Sequence, residues 1–139
     1  MISLTQAQID TLIAAALKAR DHAYIPYSGY GVGAALLTLN DGLYTGCNVE
    51  NAAYPATICA ERVALVKAIS EGERQFGAVA VVTANGGAPC GVCRQMLYEF
   101  APDLRVILAD TAGGVIFDGA LKTLLPLGFG PEFLNVHSS

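Results

Sequence analysis

The 139-residue chain has no tryptophan, two methionines and two histidines. Charge is scarce as well: 14% of its residues are Asp, Glu, Lys or Arg, against roughly 25% in an average soluble domain. Eight side chains are Lys or Arg, the net charge is −4, and the isoelectric point is near 4.9. Phosphate-backbone binding rests on Lys and Arg, so this balance argues against a nucleic-acid partner. Long apolar runs are missing too. A membrane-spanning helix needs about 20 consecutive, mostly apolar residues. The longest uncharged stretches, His22–Asn40 and Gln75–Cys93, are broken by Gly, Pro, Ser and Asn, so no membrane partner is expected. Met1 to Arg20 shows neither the basic start nor the apolar core of a secretory signal. The expectation is a cytoplasmic protein whose four cysteines stay reduced, to be read first for metal binding or catalysis.

What is present is apolar bulk. Hydrophobic residues make up 53% of the chain and the mean hydropathy is +0.46. Such a chain can offset its ordering entropy, so disorder is excluded. The length predicts one domain, residues 1–139. A domain this small buries a smaller fraction of its surface than a large one. The surplus apolar surface therefore points to contacts with other subunits.

Periodicity orders the elements. Thr5-Gln-Ala-Gln8 fits a capping box, and Ile9, Leu12, Ile13, Ala16 and Leu17 then mark one face of a helix. Tyr24–Gly31 reads as loop. Val32–Leu39 and Leu43–Val49 are short apolar runs separated by Asn40-Asp41-Gly42, a hairpin signal. Cys59–Glu71 reads as a helix stopped by Gly72, Phe76–Ala84 as a buried strand and Gly91–Phe100 as a helix. Arg105–Asp110 and Gly113–Asp118 read as strands, and Leu121–Leu125 as a short helical piece before Pro126. A hairpin followed by alternating helices and strands predicts an α/β fold, three-layered, with a mixed sheet of about five strands.

Three cysteines fall at predicted helix starts: Cys59, Cys90 and Cys93. Helix starts favour thiolates, because free N–H groups and the helix dipole attract negative charge. Three thiolates from two helices leave one tetrahedral position for water, the pattern of a catalytic zinc. A bare Cys-x-x-Cys also reads as a redox pair, disfavoured here because it follows at least three strands, or as half of a structural zinc site completed by Cys47, His22 or His137. Glu61, two residues after Cys59, is placed to shuttle protons beside such an ion, or simply to complement the helix dipole.

The segments Thr57-Ile-Cys-Ala-Glu-Arg62 and Pro89-Cys-Gly-Val-Cys-Arg-Gln95 resemble those of the zinc-dependent cytidine deaminases. So do Tyr24-Ile-Pro-Tyr-Ser-Gly-Tyr-Gly-Val-Gly-Ala-Ala-Leu36, Gly46-Cys-Asn-Val-Glu-Asn-Ala-Ala-Tyr54 and the stretch from Leu124-Leu-Pro126 through Phe129. The resemblance implies the small homotetrameric form of that family, with one Zn2+ per subunit on Cys59, Cys90 and Cys93. Water activated by the zinc would attack C4 of the pyrimidine of cytidine or 2′-deoxycytidine, releasing ammonia. Glu61 would carry the protons. Asn48 and Glu50 would bind the ribose, and at strand spacing they share a side. Tyr30, where the family usually has Phe, would meet the base, and Ala60 would also bind the substrate. Tyr54 and Phe129 would reach or close a neighbouring subunit's site. Arg62 would donate to ligand sulfurs, which need relief because three thiolates outweigh one zinc dication; the bland alternative is a surface arginine paired with a carboxylate. Cys47 is left as a small buried hydrophobe. Two rivals share this chemistry, a deaminase of aminonucleoside antibiotics of the blasticidin S type and a polynucleotide cytosine deaminase. A zinc protein that only binds or assembles is the third.

Overall fold

A computed structural model describes residues 1–135. Helix α1 (Gln6–Arg20) is followed by the hairpin β1 (Gly33–Thr38) and β2 (Leu43–Cys47). Then come α2 (Ala60–Ser70), β3 (Phe76–Thr83), α3 (Gly91–Phe100), β4 (Arg105–Asp110) and β5 (Val115–Ala120). Single 3-10 turns occupy Tyr54–Ala56, Leu121–Thr123 and Pro131–Leu134. The five strands form one sheet in the order β2-β1-β3-β4-β5. Only β3 and β4 are parallel, joined through α3; the other pairs are antiparallel. The expected mixed sheet is therefore present.

Strand alternation divides the core into two layers. Ala35, Ala78, Ala80, Val82, Ile107 and Ala109 face Ile9, Leu12, Ile13 and Ala16 of α1. Ala34, Leu36, Val79, Val81, Val106 and Leu108 face the other way, toward Ala64, Leu65, Ala68 and Leu97 of α2 and α3. All eight residues of β3 are buried, as a central strand covered on both faces must be. The α1 side is lined by small residues, so that helix lies close to the sheet. At Gly33 a side chain would run into the Ala16 carbonyl and the Arg20 amide of α1.

Local chemistry sets the boundaries. Thr5 accepts from Gln8 N while the Gln8 side chain accepts from Thr5 N, completing the capping box. Gly72, at φ +99°, ends α2 where the Glu73 amide donates back to Ala68. The last strand starts at Val115, two residues later than its apolar pattern suggests. Asp110 Oδ1 accepts from the amides of Ala112 and Gly114, and Gly113 has φ +87°, so 111–114 is a turn. The helical piece after β5 ends at Thr123, one turn long, since Pro126 cannot donate to extend it.

Gly46 positions the functional end of α2. A Cβ there would lie 2.6 Å from the Ala60 carbonyl and 2.7 Å from the Ala64 amide, both rigid backbone. Gly46→Ala is expected to lower stability by about 1–3 kcal/mol, read as a fall in the denaturant midpoint at unchanged m.

Candidate metal centre and active site

Two helix starts converge at the carboxyl end of β3, where ligands of open α/β sheets commonly bind. Cys59 is the N-cap of α2, Cys90 the N-cap of α3, and Cys93 lies in the first turn of α3. The Sγ atoms of Cys59 and Cys90 are 3.6 Å apart, those of Cys90 and Cys93 3.4 Å, and all three lie within 4.8 Å of one another. A tetrahedral zinc with Zn–S near 2.3 Å holds its sulfurs ~3.8 Å apart, so the cluster fits one zinc ion. Cys47 is half-buried, more open than a buried hydrophobe, and neither it nor His22 belongs to the cluster. His137 lies outside the described residues. Among the described residues the cluster supplies three ligands, and a tetrahedral ion on them has one position without a protein donor.

The electrostatics favour a thiolate at Cys59 and a protonated thiol at Cys93. A hydrogen bond from Cys93 holds the Cys59 thiol down at about 5, helped by Arg62 and Cys90. The same contact with Cys59, together with burial, pushes the Cys93 thiol above its ordinary range. Arg62 Nη2 donates to the Thr57 carbonyl at 3.1 Å and reaches Cys59 Sγ at 3.7 Å. Its Nε is buried and has no oxygen or nitrogen partner among the described residues. Among the described residues the guanidinium touches Cys59 Sγ and pairs with no carboxylate. Glu61, in the first turn of α2, is 3% exposed, and burial pushes its carboxyl above the usual range.

A cavity of about 270 Å³ opens beside this cluster. Tyr30, Asn48, Cys59, Glu61 and Cys90 line it, together with Thr57 and Thr83. A second cavity, lined by Tyr27, Ser28, Glu50, Tyr54 and Thr57, adjoins it at Thr57. Strand β2 stops at Cys47, and Val49 then bridges Tyr24 and Ile58, so Asn48 and Glu50 lie on ordered loop. The Asn48 amide accepts from Val32 N at 2.9 Å and donates to Tyr30 O at 2.8 Å, fixing the preceding loop. Glu50 accepts from the amides of Tyr27 and Ser28 and from the Ser28 hydroxyl. The Ser28 hydroxyl, chiefly, holds the Glu50 carboxylate below its usual pKa. Both side chains order the loop, and each lines one of the two cavities.

The remaining sequence-derived positions divide. Ala60 is fully buried in the core and lines neither cavity, so the expected contact with substrate is not seen there. Tyr54 lines the second cavity and meets Tyr27 edge-on, with centroids 5.7 Å apart. Phe129 lines neither cavity. It is 54% exposed, stacks on Phe133, and its carbonyl accepts from Gln95 Nε2. Sequence reasoning missed Ser28, Thr57, Thr83 and Asn85: Ser28 and Asn85 pair with the distant Glu50 and Tyr30, whereas Thr57 and Thr83 bond to near neighbours and reach the cavity only through the fold.

Residues 6–109 match the family model described as the cytidine and deoxycytidylate deaminase zinc-binding region. The chain belongs to this deaminase family. Among curated relatives, the cytidine deaminase of Sporosarcina psychrophila is 45% identical over 129 residues, 91% of this chain and 95% of that protein. That of Halalkalibacterium halodurans is 46% identical over 127 residues, covering 89% and 96%. The crystal structure of cytidine deaminase from Burkholderia pseudomallei is 44% identical and superposes with a TM-score of 0.84 over 91% of this chain and all of that one. The deaminase fold is thus established, and Cys59, Cys90 and Cys93 are positioned to hold its zinc. No helix among the described residues is long and apolar enough to cross a membrane.

Proposed function

We propose that the chain, acting as one domain over 1–139, hydrolytically deaminates cytidine and 2′-deoxycytidine to uridine and 2′-deoxyuridine with release of ammonia. The observation that carries this reading is a buried carboxyl, Glu61, lining one cavity with Cys59 and Cys90 of a three-thiol cluster. Cys59, Cys90 and Cys93 hold the zinc, which when bound supplies a nucleophile from water at neutral pH. Glu61 is the proton carrier. A carboxyl raised by burial takes up and returns protons closer to neutral pH than an exposed one. It would receive one proton from the attacking water and place it on N3 of the pyrimidine, then take the second from the hydroxyl now bonded to C4 and deliver it to the amine as the C4–N bond breaks. Tyr30 borders the base, and Asn48 and Glu50 meet the sugar hydroxyls. Glu50 stays ionised, so it accepts from hydroxyls and repels a 5′-phosphate. This favours a free nucleoside over a nucleotide or polynucleotide.

An assay of cytidine by ultraviolet absorbance and ammonia release, with and without a zinc chelator, tests the proposal. Zinc-dependent ammonia release is expected; a zinc-loaded protein that releases none overturns it. Arg62 drains charge from the thiolates and acts through them. Arg62→Ala is expected to lower kcat ~10-fold or more with zinc still bound, measured as kcat beside metal content.

The same reading makes the protein a homotetramer. Tyr54 is 70% exposed, and Leu127, Phe129, Phe133 and Leu134 form a largely exposed apolar C-terminal segment. Patches of this kind mark subunit contacts. Tyr54 and Phe129 would there complete or close a neighbour's site. Light scattering should return a tetramer; a monomer with full activity would contradict this. A reducing compartment, the cytoplasm, keeps the three thiols available.

A further inference from the structure

Tyr30 and Asn85 are 55 residues apart and meet at the wall of the cavity. The Tyr30 hydroxyl donates to Asn85 Oδ1 at 2.6 Å. That oxygen also lies 3.5 Å from Thr83 Oγ1, which accepts from the Gly87 amide at 2.8 Å. Tyr30, Thr83 and Gly87 all line the cavity with Cys59, Glu61 and Cys90. Gly87 has no positive φ, so its backbone does not require glycine. Its space does: a Cβ there would sit 2.7 Å from Tyr30 Oη, whereas its next neighbours would be 3.6 and 3.9 Å away. The glycine therefore makes room for one atom, the phenolic oxygen. The other end of Tyr30 is held as well. Its amide donates to Ser28 Oγ at 3.0 Å and its carbonyl accepts from Asn48 Nδ2.

We propose that Asn85 and Gly87 are positioning residues which, through the Tyr30 hydroxyl, hold the Tyr30 ring as a fixed wall for the pyrimidine. The clamp thereby sets nucleoside affinity rather than the rate of the chemical step. It rests on the deaminase reading above. A phenylalanine would fill the same ring space without the tether to the loop that leads into Cys90. An ordered wall spares the cost of fixing it when the nucleoside binds. It serves ground state and transition state alike, so its loss raises KM and leaves kcat in place.

The test uses the zinc-loaded protein, with KM and kcat for cytidine, calorimetric Kd for uridine, and metal content. Tyr30→Phe and Asn85→Ala are each expected to raise KM and the uridine Kd ~3- to 10-fold, the span of one hydrogen bond, with kcat within about twofold. The double variant should be no worse than the worse single one, because both remove the same bond. Asn85→Asp keeps an acceptor oxygen and should restore most of the affinity. Gly87→Ala should weaken binding in the native background and add nothing in Tyr30→Phe, where the obstructing oxygen is gone. Additive losses, or unchanged KM and Kd in an active enzyme, overturn the clamp. A zinc-loaded native protein that binds uridine but releases no ammonia from cytidine overturns the functional reading instead.

Discussion

Replacing Glu61 by Gln is expected to lower kcat for cytidine by ~10³-fold or more while zinc stays bound. The two side chains have nearly the same volume, and the site is closely packed, with Glu61 3% exposed. The cavity and the cysteine cluster should therefore survive the change. What disappears is a group that can hold a proton and release it. Deamination needs two such transfers, to the ring nitrogen and to the departing amine, and among the described residues no second carboxylate lines the cavity. Glu61→Asp keeps the acid but withdraws it by one methylene, so it should fall between native and Gln. Kinetics and metal analysis on the same preparations decide the matter. Turnover near the native value in Glu61→Gln, with zinc present, would refute the assignment of proton transfer to this side chain.

Cys93→Ala is expected to abolish both zinc retention and deamination. Cys93 is fully buried and lies against both other thiols, whereas Cys59 and Cys90 sit at the two N-cap positions. Removing it leaves two ligands where a stable site needs at least three. A metal that binds only the folded chain also stabilises it by mass action, so the native protein should melt higher with added zinc. The variant should show no such rise. Its unliganded melting point should stay close to that of the chelated native protein, because a buried thiol replaced by a methyl loses little volume. A variant that keeps stoichiometric zinc after dialysis would show that Cys93 is not a ligand.

Much of the architecture was legible from residue pattern. The capping box at Thr5, the glycine after α2 and the uniformly apolar β3 are local signals, and each element they imply is present. The boundaries that shifted did so for side-chain reasons. The turn at 111–114 depends on Asp110 reaching two amides, which apolar spacing does not report. The 3-10 turn at Tyr54–Ala56 also has no periodic signature, being too short to show one.

The cysteine spacing, the adjacent glutamate and the low basic content are properties of the sequence alone. They named the donor set, placed a carboxyl beside it and argued against nucleic acid, because ligand chemistry depends on residue type and local spacing. Whether Cys59 joins Cys90 and Cys93 was decided only by tertiary structure. Thirty residues separate them, and the close packing of α2 on Gly46 brings the two helix starts together. The same holds for Arg62, whose guanidinium turns inward to sulfur, and for Tyr30, whose partner Asn85 lies on another loop. A contact between segments distant in the chain depends on how strands and helices pack, and no local pattern encodes it.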